Sequence, residues 1–595
     1  MRIGRGMREN MLNGSSEIIF AIVHHLNHAS LCMSTEWELV DLARLNLDAA
    51  ELAVKKKFAF LNASEYLRCA IDLLDKETMW QSHYGLCLQL HSLSAETEYC
   101  LGNFERSQTM IECILVNGRT IEDKSSAYYA EIDVLNAQAM PSQSIIKGIS
   151  ILRLLGEEIM QTNTKLDFER QITKIRGILR GKSDEVIISL PMLKNDAKIL
   201  IITTILVKIM SAAFFAREEA LFAFGVLRLV QLSMEEGLSS VSPPVFAGYA
   251  LMESKLGNAE CAFRFGMLSL NLMKKLSSPK STCQTLTIVW SFVLYWKRPL
   301  IETSKQLREA CAIGTDQGDM EYACFAAFSY VKFSYYCGES LHELENDCRD
   351  MCEQMRTFKQ EGALQLTLQY WWAILSLMGA DSNYHYLLQQ DGITDEAVLS
   401  KNSNLNNNKG IVANCRLIKL VNSIYFGDLG TSEEMITKIS EDQIYVNKPQ
   451  LFLLMYKFHS GLAFYALAAC STLHKKSQYQ QSAEKCRNDL LKLSKEGCPT
   501  ATVFSALLNA EHTALVSRDA SKVLKAYTHA VEITASNAFV NYEALSNERA
   551  YFALLDHGVN APYFLECAIK CYMAWGADKK VEILRSKLPI GKQAA

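Results

Sequence analysis

The sequence predicts an all-α protein, an α-solenoid of antiparallel helix pairs wound into a tetratricopeptide-like superhelix, and three observations carry that prediction. Apolar side chains recur every three or four residues along most of the 595-residue chain, which is the period of one helix face. Only 10 prolines occur, and none lies between Pro299 and Pro449, so nothing strips a helix of its backbone donors over that long interval. Glycine, at 29 residues, is too sparse for the many turns of a β-sandwich or barrel. With 49% hydrophobic and 21% charged residues, the chain has the apolar content to build a core, which excludes wholesale disorder.

The elements follow from the N-terminal side. Phe60, Ser64, Leu67, Ile71 and Leu74 fall on one stripe, with Glu65, Arg68 and Asp72 off it. Leu86, Leu90, Leu93, Thr97 and Leu101 form the next stripe, which Gly102-Asn103 ends as a helix stop. Phe104, Ile111, Ile114 and Leu115 open a further stripe, and so short a turn folds the two helices back on each other. Another break falls at Met140-Pro141, and others lie around Lys476, Asp519 and Gly558. The spacing of about 40 residues is that of tetratricopeptide, HEAT and armadillo units, in which neighbours stack because one hairpin cannot bury its own apolar face. Two interruptions divide the chain. Leu276 to Thr282 (LSSPKST) separates N-terminal repeats (1–275) from central ones (285–398). The asparagine-rich Ser400–Gly410 stretch marks a flexible loop (399–411) before the C-terminal repeats (412–588).

Charge and cysteine usage narrow the function classes. The net charge of −4 is spread over interspersed groups, and no basic stripe exists to neutralise phosphates, so nucleic acid is excluded as a partner. Eighteen cysteines occur without a CxxC pair. Cys348/Cys352 and Cys567/Cys571, each one helical turn apart, read as small buried hydrophobes rather than halves of a zinc site. The N-terminal MRIGRGMRENMLNGSSE lacks the apolar core of a secretory signal, and cytoplasmic residence is expected. The longest apolar stretch, Ile199 to Val207, is closed by Lys198 and Lys208 and is shorter than the roughly 20 residues of a membrane span, so none is expected.

Four motifs invite a functional reading. Gly177 to Ser183 (GILRGKS) looks like a phosphate-binding loop, but one residue too few separates its glycines and a charged helix precedes it where a strand is required. Leu341-His342-Glu343-Leu344 looks like a phosphoacceptor box, yet continues Glu345-Asn346-Asp347, as a solvated helix start does. His24 and His28, with His25 between them, have metal-binding spacing but lack the neighbouring Glu or Cys of a zinc protease. Tyr370-Trp371-Trp372 and the Trp290–Trp296 region read as packing between stacked helices before they read as a peptide groove. No residue is assigned a catalytic, cofactor-binding or metal-ligating role, and no cofactor is implied.

A set of short motifs adds a family resemblance. It begins at Arg2-Ile3-Gly4-Arg5 and Phe20 to Asn27. It is densest at Leu42 to Ala49, Tyr66-Leu67-Arg68 and Ala95 to Glu105 (AETEYCLGNFE). It continues through Ala262 to Gly266, Trp296 to Leu300, Gly318 to Ala323, Asn547-Glu548-Arg549 and Tyr572 to Val581. In these the chain resembles the helical repeat region of multidomain predicted-ATPase signalling proteins. Those carry serine/threonine-kinase-like and AAA/STAND-type ATPase domains before the repeats, and GAF and histidine kinase domains after them. The resemblance implies a non-catalytic scaffold whose partners are ATPase and kinase modules, in cis or in trans. The alternative is a fragment of a nucleotide-dependent signalling enzyme whose catalytic domains lie outside this chain. A peptide-binding adaptor of the co-chaperone sort is a third reading, but its lysine, arginine and asparagine clamp is not visible here.

Overall fold

The computed structural model describes residues 18–33, 35–57, 59–159, 165–193, 196–276, 279–379, 409–441 and 450–587. The Arg2–Arg5 match, the end of the central segment (380–398) and positions 399–408 of the asparagine-rich loop lie outside them. Positions 409–411, assigned to that loop from sequence, are helical.

The first helices are α1 (Ile18–His28), α2 (Glu36–Lys57), α3 (Phe60–Asp72), a short α4 (Met79–Ser82), α5 (Tyr84–Cys100), α6 (Phe104–Asn117), α7 (Ser125–Ala137) and α8 (Pro141–Leu154). Next come α9 (Lys165–Leu179), a short α10 (Asp184–Ile188), α11 (Ala197–Ala216), α12 (Glu219–Glu235), α13 (Ser242–Lys255), α14 (Ala259–Leu276), α15 (Pro279–Phe292), α16 (Leu300–Gln317), α17 (Met320–Cys337), α18 (Leu341–Thr357) and α19 (Glu361–Met378). The rest are α20 (Lys409–Phe426), α21 (Leu429–Glu441), α22 (Gln450–Cys470), α23 (Leu473–Lys495), α24 (Pro499–Val516), α25 (Ala520–Ser536), α26 (Val540–Asp556), α27 (Pro562–Trp575) and α28 (Asp578–Arg585). Among the described residues the sole β pairing is an isolated bridge between Met192 and Leu238.

Turn chemistry explains why the helices end where they do. After α5, Gly102 takes φ 71° and the Asn103 amide donates to the Glu98 carbonyl at 2.8 Å, the six-to-one bond that closes a helix C-terminus. The same closure follows α13, α16, α17, α20 and α27, through the amides of Asn258, Asp319, Glu339, Asp428 and Ala577. At Met140-Pro141 the left-handed residue is Ala139 (φ 57°), and Pro141 opens α8. Asp519 caps α25 by accepting from the Ser521 amide at 2.9 Å. The break anticipated around Lys476 lies slightly earlier, because α23 already begins at Leu473.

Helices alternate in character. Every residue of α13 from Ser242 to Ser254 is buried, and α17 is nearly as enclosed. Its successor α18 instead buries Leu341, Leu344, Cys348, Cys352 and Met355 on one face and exposes the other. An inner layer therefore runs α13, α15, α17, α19, α20, α22, α24, each packed on the next, with α14, α16, α18, α21, α23 and α25 covering it. One hydrophobic core extends from Tyr128 to Leu584, and residues on both sides of the 276–285 break belong to it. Smaller clusters hold α1 to α6 together.

Two helices, Ala197–Ala216 and Leu451–Cys470, are long and apolar enough to cross a membrane by length and composition. The short Ile199–Val207 stretch did not anticipate this, because Met210 to Ala216 extends the apolar run beyond Lys208. Inside the fold 61% and 72% of these windows are buried, and Lys208 pairs with Asp133 at 2.5 Å, as in core helices.

The array also closes on itself. Helix α17 packs against α7 from the N-terminal side and α26 from the C-terminal side, and α28 packs on α19. At this seam Gly338 (φ 76°) abuts α26, where an added Cβ would lie 2.6 Å from Asn541 Oδ1 and 2.9 Å from its backbone nitrogen. Gly558 has a similar φ of 77° but open space around it. Gly558→Ala is expected to cost about 1–2 kcal/mol from the left-handed backbone alone. Gly338→Ala should cost about 1–3 kcal/mol more, from overpacking the seam. Equal losses in denaturant melts of the two variants would contradict the close packing at Gly338.

Candidate functional site

Helix α17 carries Glu321, Phe325, Phe328, Lys332 and Tyr336 at steps of three and four, a single stripe roughly 22 Å long at 1.5 Å per residue. This stripe borders a half-open cavity of about 730 Å³ that α11, α15, α19, α20 and α22 also line. The volume lies within the roughly 300–1,000 Å³ of small-molecule sites. One part of its wall is aromatic: Phe214 meets Phe292 edge-on at 5.1 Å, Phe215 meets Phe325 at 5.1 Å, and Phe292 stacks on Phe325 at 6.1 Å. The exposed Ser142 and Gln143, and the exposed Glu218 and Glu219, form its rim.

The ionisable groups differ in how they are satisfied. Glu321 accepts from Ser211 Oγ at 2.6 Å and from Asn136 Nδ2 at 3.3 Å. Burial raises its pKa, and those hydrogen bonds counter the shift. Lys255 pairs with Glu219 at 3.3 Å. Lys332 has no hydrogen-bond acceptor or carboxylate partner among the described residues. The rings of Phe333, Phe328 and Phe292 approach its ammonium, at 5.0, 5.1 and 5.9 Å. Burial pushes its pKa down to about 7. Cation–π contacts return about 0.5–2 kcal/mol each, whereas a desolvated ion costs several kcal/mol, so the rings alone leave the charge undercompensated. Arg217, the left-handed residue between α11 and α12, is likewise lowered by burial, with Glu219 opposing the shift.

The motifs singled out in the sequence fall elsewhere. Gly177 lies within α9 and Gly181 forms a left-handed turn, while Ser183 caps the short α10 by accepting from the Val186 amide. No strand precedes that turn, and the neighbouring Arg176 holds Glu253 at 2.8 Å. His342 sits in the exposed first turn of α18, 3.5 Å from Asp578. His24 and His28 lie with ring centroids 4.5 Å apart, tilted, on α1, and no group of three metal-ligating side chains forms among the described residues. Cys348 and Cys352 are buried in α18, and desolvation holds the Cys352 thiol up at about 12. Trp371 is buried and donates to Glu345 at 3.2 Å, so that aromatic run packs helices. Tyr370 and Phe292, from the two flagged regions, also line the cavity.

Lys332 was not singled out in the sequence. The available signal was a lone cation inside the apolar run Ala323–Tyr336.

No family model matches the chain. A curated relative, hybrid signal transduction histidine kinase G of Dictyostelium discoideum, is 20% identical over 397 residues, covering 61% of this chain and 11% of that protein. The chain thus corresponds to about a tenth of the length of that relative. Among solved structures, a circular tandem repeat protein with novel repeat topology and enhanced subunit contact surfaces aligns over 94% of this chain and 98% of that one. It is 11% identical with a TM-score of 0.15, too low to inform the fold.

Lys332 is half-buried with no carboxylate partner among the described residues and burial disfavours its charge, so Lys332→Met is expected to stabilise the protein by about 1–4 kcal/mol near pH 7. The folded-state pKa lies below the unfolded one, so the unfolded state binds more protons between the two values and wild-type stability rises with pH there. The advantage of the variant should therefore shrink by up to about 1.4 kcal/mol per pH unit as pH rises above 7. Denaturant titrations of both proteins at several pH values measure it; a pH-independent gap, or a less stable variant, contradicts the assignment.

Proposed function

We propose that this chain is a non-catalytic protein-interaction scaffold in signal transduction, built as an α-solenoid of antiparallel, tetratricopeptide-like helix pairs. The observation that carries this reading is the similarity to a signal transduction histidine kinase along 397 residues, joined to a fold made of stacked helix layers. Its partners are proteins: an AAA/STAND-type ATPase on one side and a sensor or histidine kinase output on the other, in cis or in trans. The outer helices supply the surfaces. Helix α23 exposes Lys475, Lys485, Lys492 and Lys495, and Trp37, Tyr563 and Met573 stand exposed on α2 and α27. Cytoplasmic residence belongs to the same reading, supported by eighteen free cysteines.

The enzyme alternative rests on nucleotide binding near Gly177–Ser183. The geometry there supports a helix end, since backbone amides converging on phosphates require the wider loop that follows a strand.

Two measurements separate the readings. Immobilised chain is expected to retain a homologous ATPase or histidine kinase module at micromolar concentration, and retention of neither would end the scaffold reading. ATP with magnesium is expected to leave the melting temperature unchanged, whereas a bound nucleotide at a hundredfold excess over its Kd would add about 2.7 kcal/mol.

A further inference from the structure

The cavity has an electrostatic asymmetry that a protein-binding scaffold does not use. At one end of the α17 stripe, Glu321 is satisfied by Ser211 and Asn136. Three helical turns farther, roughly 16 Å along the axis, Lys332 faces the cavity with three N–H donors and no acceptor among the described residues. Between them the wall is ring and aliphatic surface.

We propose that this cavity binds a small amphiphilic acid, with its apolar body along the Phe214, Phe292 and Phe325 wall and its anionic head against Lys332. The chemistry follows from what each partner lacks. A carboxylate brings one negative charge and two acceptor oxygens to an ammonium that has neither. The apolar body removes its own surface and the aromatic wall from water at once. A neutral molecule of the same shape leaves Lys332 unpaired, and a cationic one sets like charges together.

The remaining charged groups around the cavity leave this polarity standing. Glu219 and Lys255 offset each other, Glu321 lies at the far end with its own donors, and Glu218 is exposed at the rim. Arg217, on the same turn, adds a second positive group near the mouth.

The inference is independent of the scaffold reading, and its test uses the full chain with three probes of equal length: decanoate, decan-1-ol and decylammonium. In calorimetric titrations at pH 6.5, decanoate should bind at least tenfold more tightly than decan-1-ol, and decylammonium should not bind measurably. Lys332→Met should bring decanoate down to the affinity of the alcohol, while Lys332→Arg keeps the acid preferred. Leu366→Trp, which places an indole into the cavity from α19, should abolish binding of both; it provides a second readout should the Lys332 variants misfold by circular dichroism. A decanoate bearing a terminal diazirine should label peptides from α15, α17 or α19. The proposal falls if acid and alcohol bind equally to the wild type, or if the acid preference survives in Lys332→Met. Labelling that maps away from the cavity, or decanoate binding that survives in Leu366→Trp, would also overturn it.

Discussion

The structure depends on one constraint: a carboxylate buried between packed helices has little water to solvate it, so the protein itself must supply its partners. Buried glutamates meet this demand repeatedly. Glu253 accepts from Arg176, Tyr249 and Asn258 at 2.8, 2.9 and 2.6 Å. Glu511 accepts from Arg549 at 2.6 Å and Tyr527 at 2.8 Å, and Glu548 accepts from Lys580 at 2.6 Å and Tyr572 at 2.8 Å. Each pair adds little net stability, because desolvating two ions offsets most of their attraction. Removing one partner leaves a buried charge, which costs about 3–5 kcal/mol. Such clamps therefore select which helix lies beside which. Hydrophobic burial drives the stacking, and the clamps add a penalty for a wrong neighbour.

This division explains what could be read from the sequence. The apolar stripes at Phe60 to Leu74 and Leu86 to Leu101, and the stops at Gly102 and Gly558, depend on local periodicity and backbone conformation, so they were legible. The closure of α26 and α28 onto α17, α19 and the end of α20 was not, because it joins residues such as Asn541 and Tyr336, or Lys580 and the Tyr425 carbonyl, across long stretches of chain. One nonlocal feature left a trace. Glu98 and Asn103 in AETEYCLGNFE, and Glu253 and Asn258 in MESKLGNAE, repeat one spacing and form the same side-chain clamp, at 2.9 and 2.6 Å. The first of these belongs to the motif on which the family resemblance was densest. Its residues hold a turn, which accounts for their pattern without any chemistry.

The candidate site was less legible because a cavity is a property of several helices at once. Tyr370 and the Trp290–Trp296 region were correctly seen as packing aromatics, and packing is what they do on one side. Two members of those runs, Phe292 and Tyr370, also face space on the other. Sequence periodicity cannot distinguish a ring that meets another ring from one that meets a void. It does reveal a cation among apolar residues, and Lys332 is the instance that the pattern of clamps leaves out.

That exception carries weight because the fold treats three other cations of the packed layers differently. Arg549, Lys580 and Lys208 each have a carboxylate within hydrogen-bond reach, on a helix other than their own. Keeping an ammonium without one costs stability that a neutral side chain of the same length would recover, so the packing of α17 alone gives no reason for lysine there. The cavity beside it is bounded by α11 from the N-terminal part, α17 and α19 from the centre, and α22 from the C-terminal part. A molecule bound there touches all three, and its binding free energy adds to the stability of their mutual packing by mass action. The unpaired cation and the closure of the array thus meet at the same helix, where occupancy of the one is coupled to the rigidity of the other.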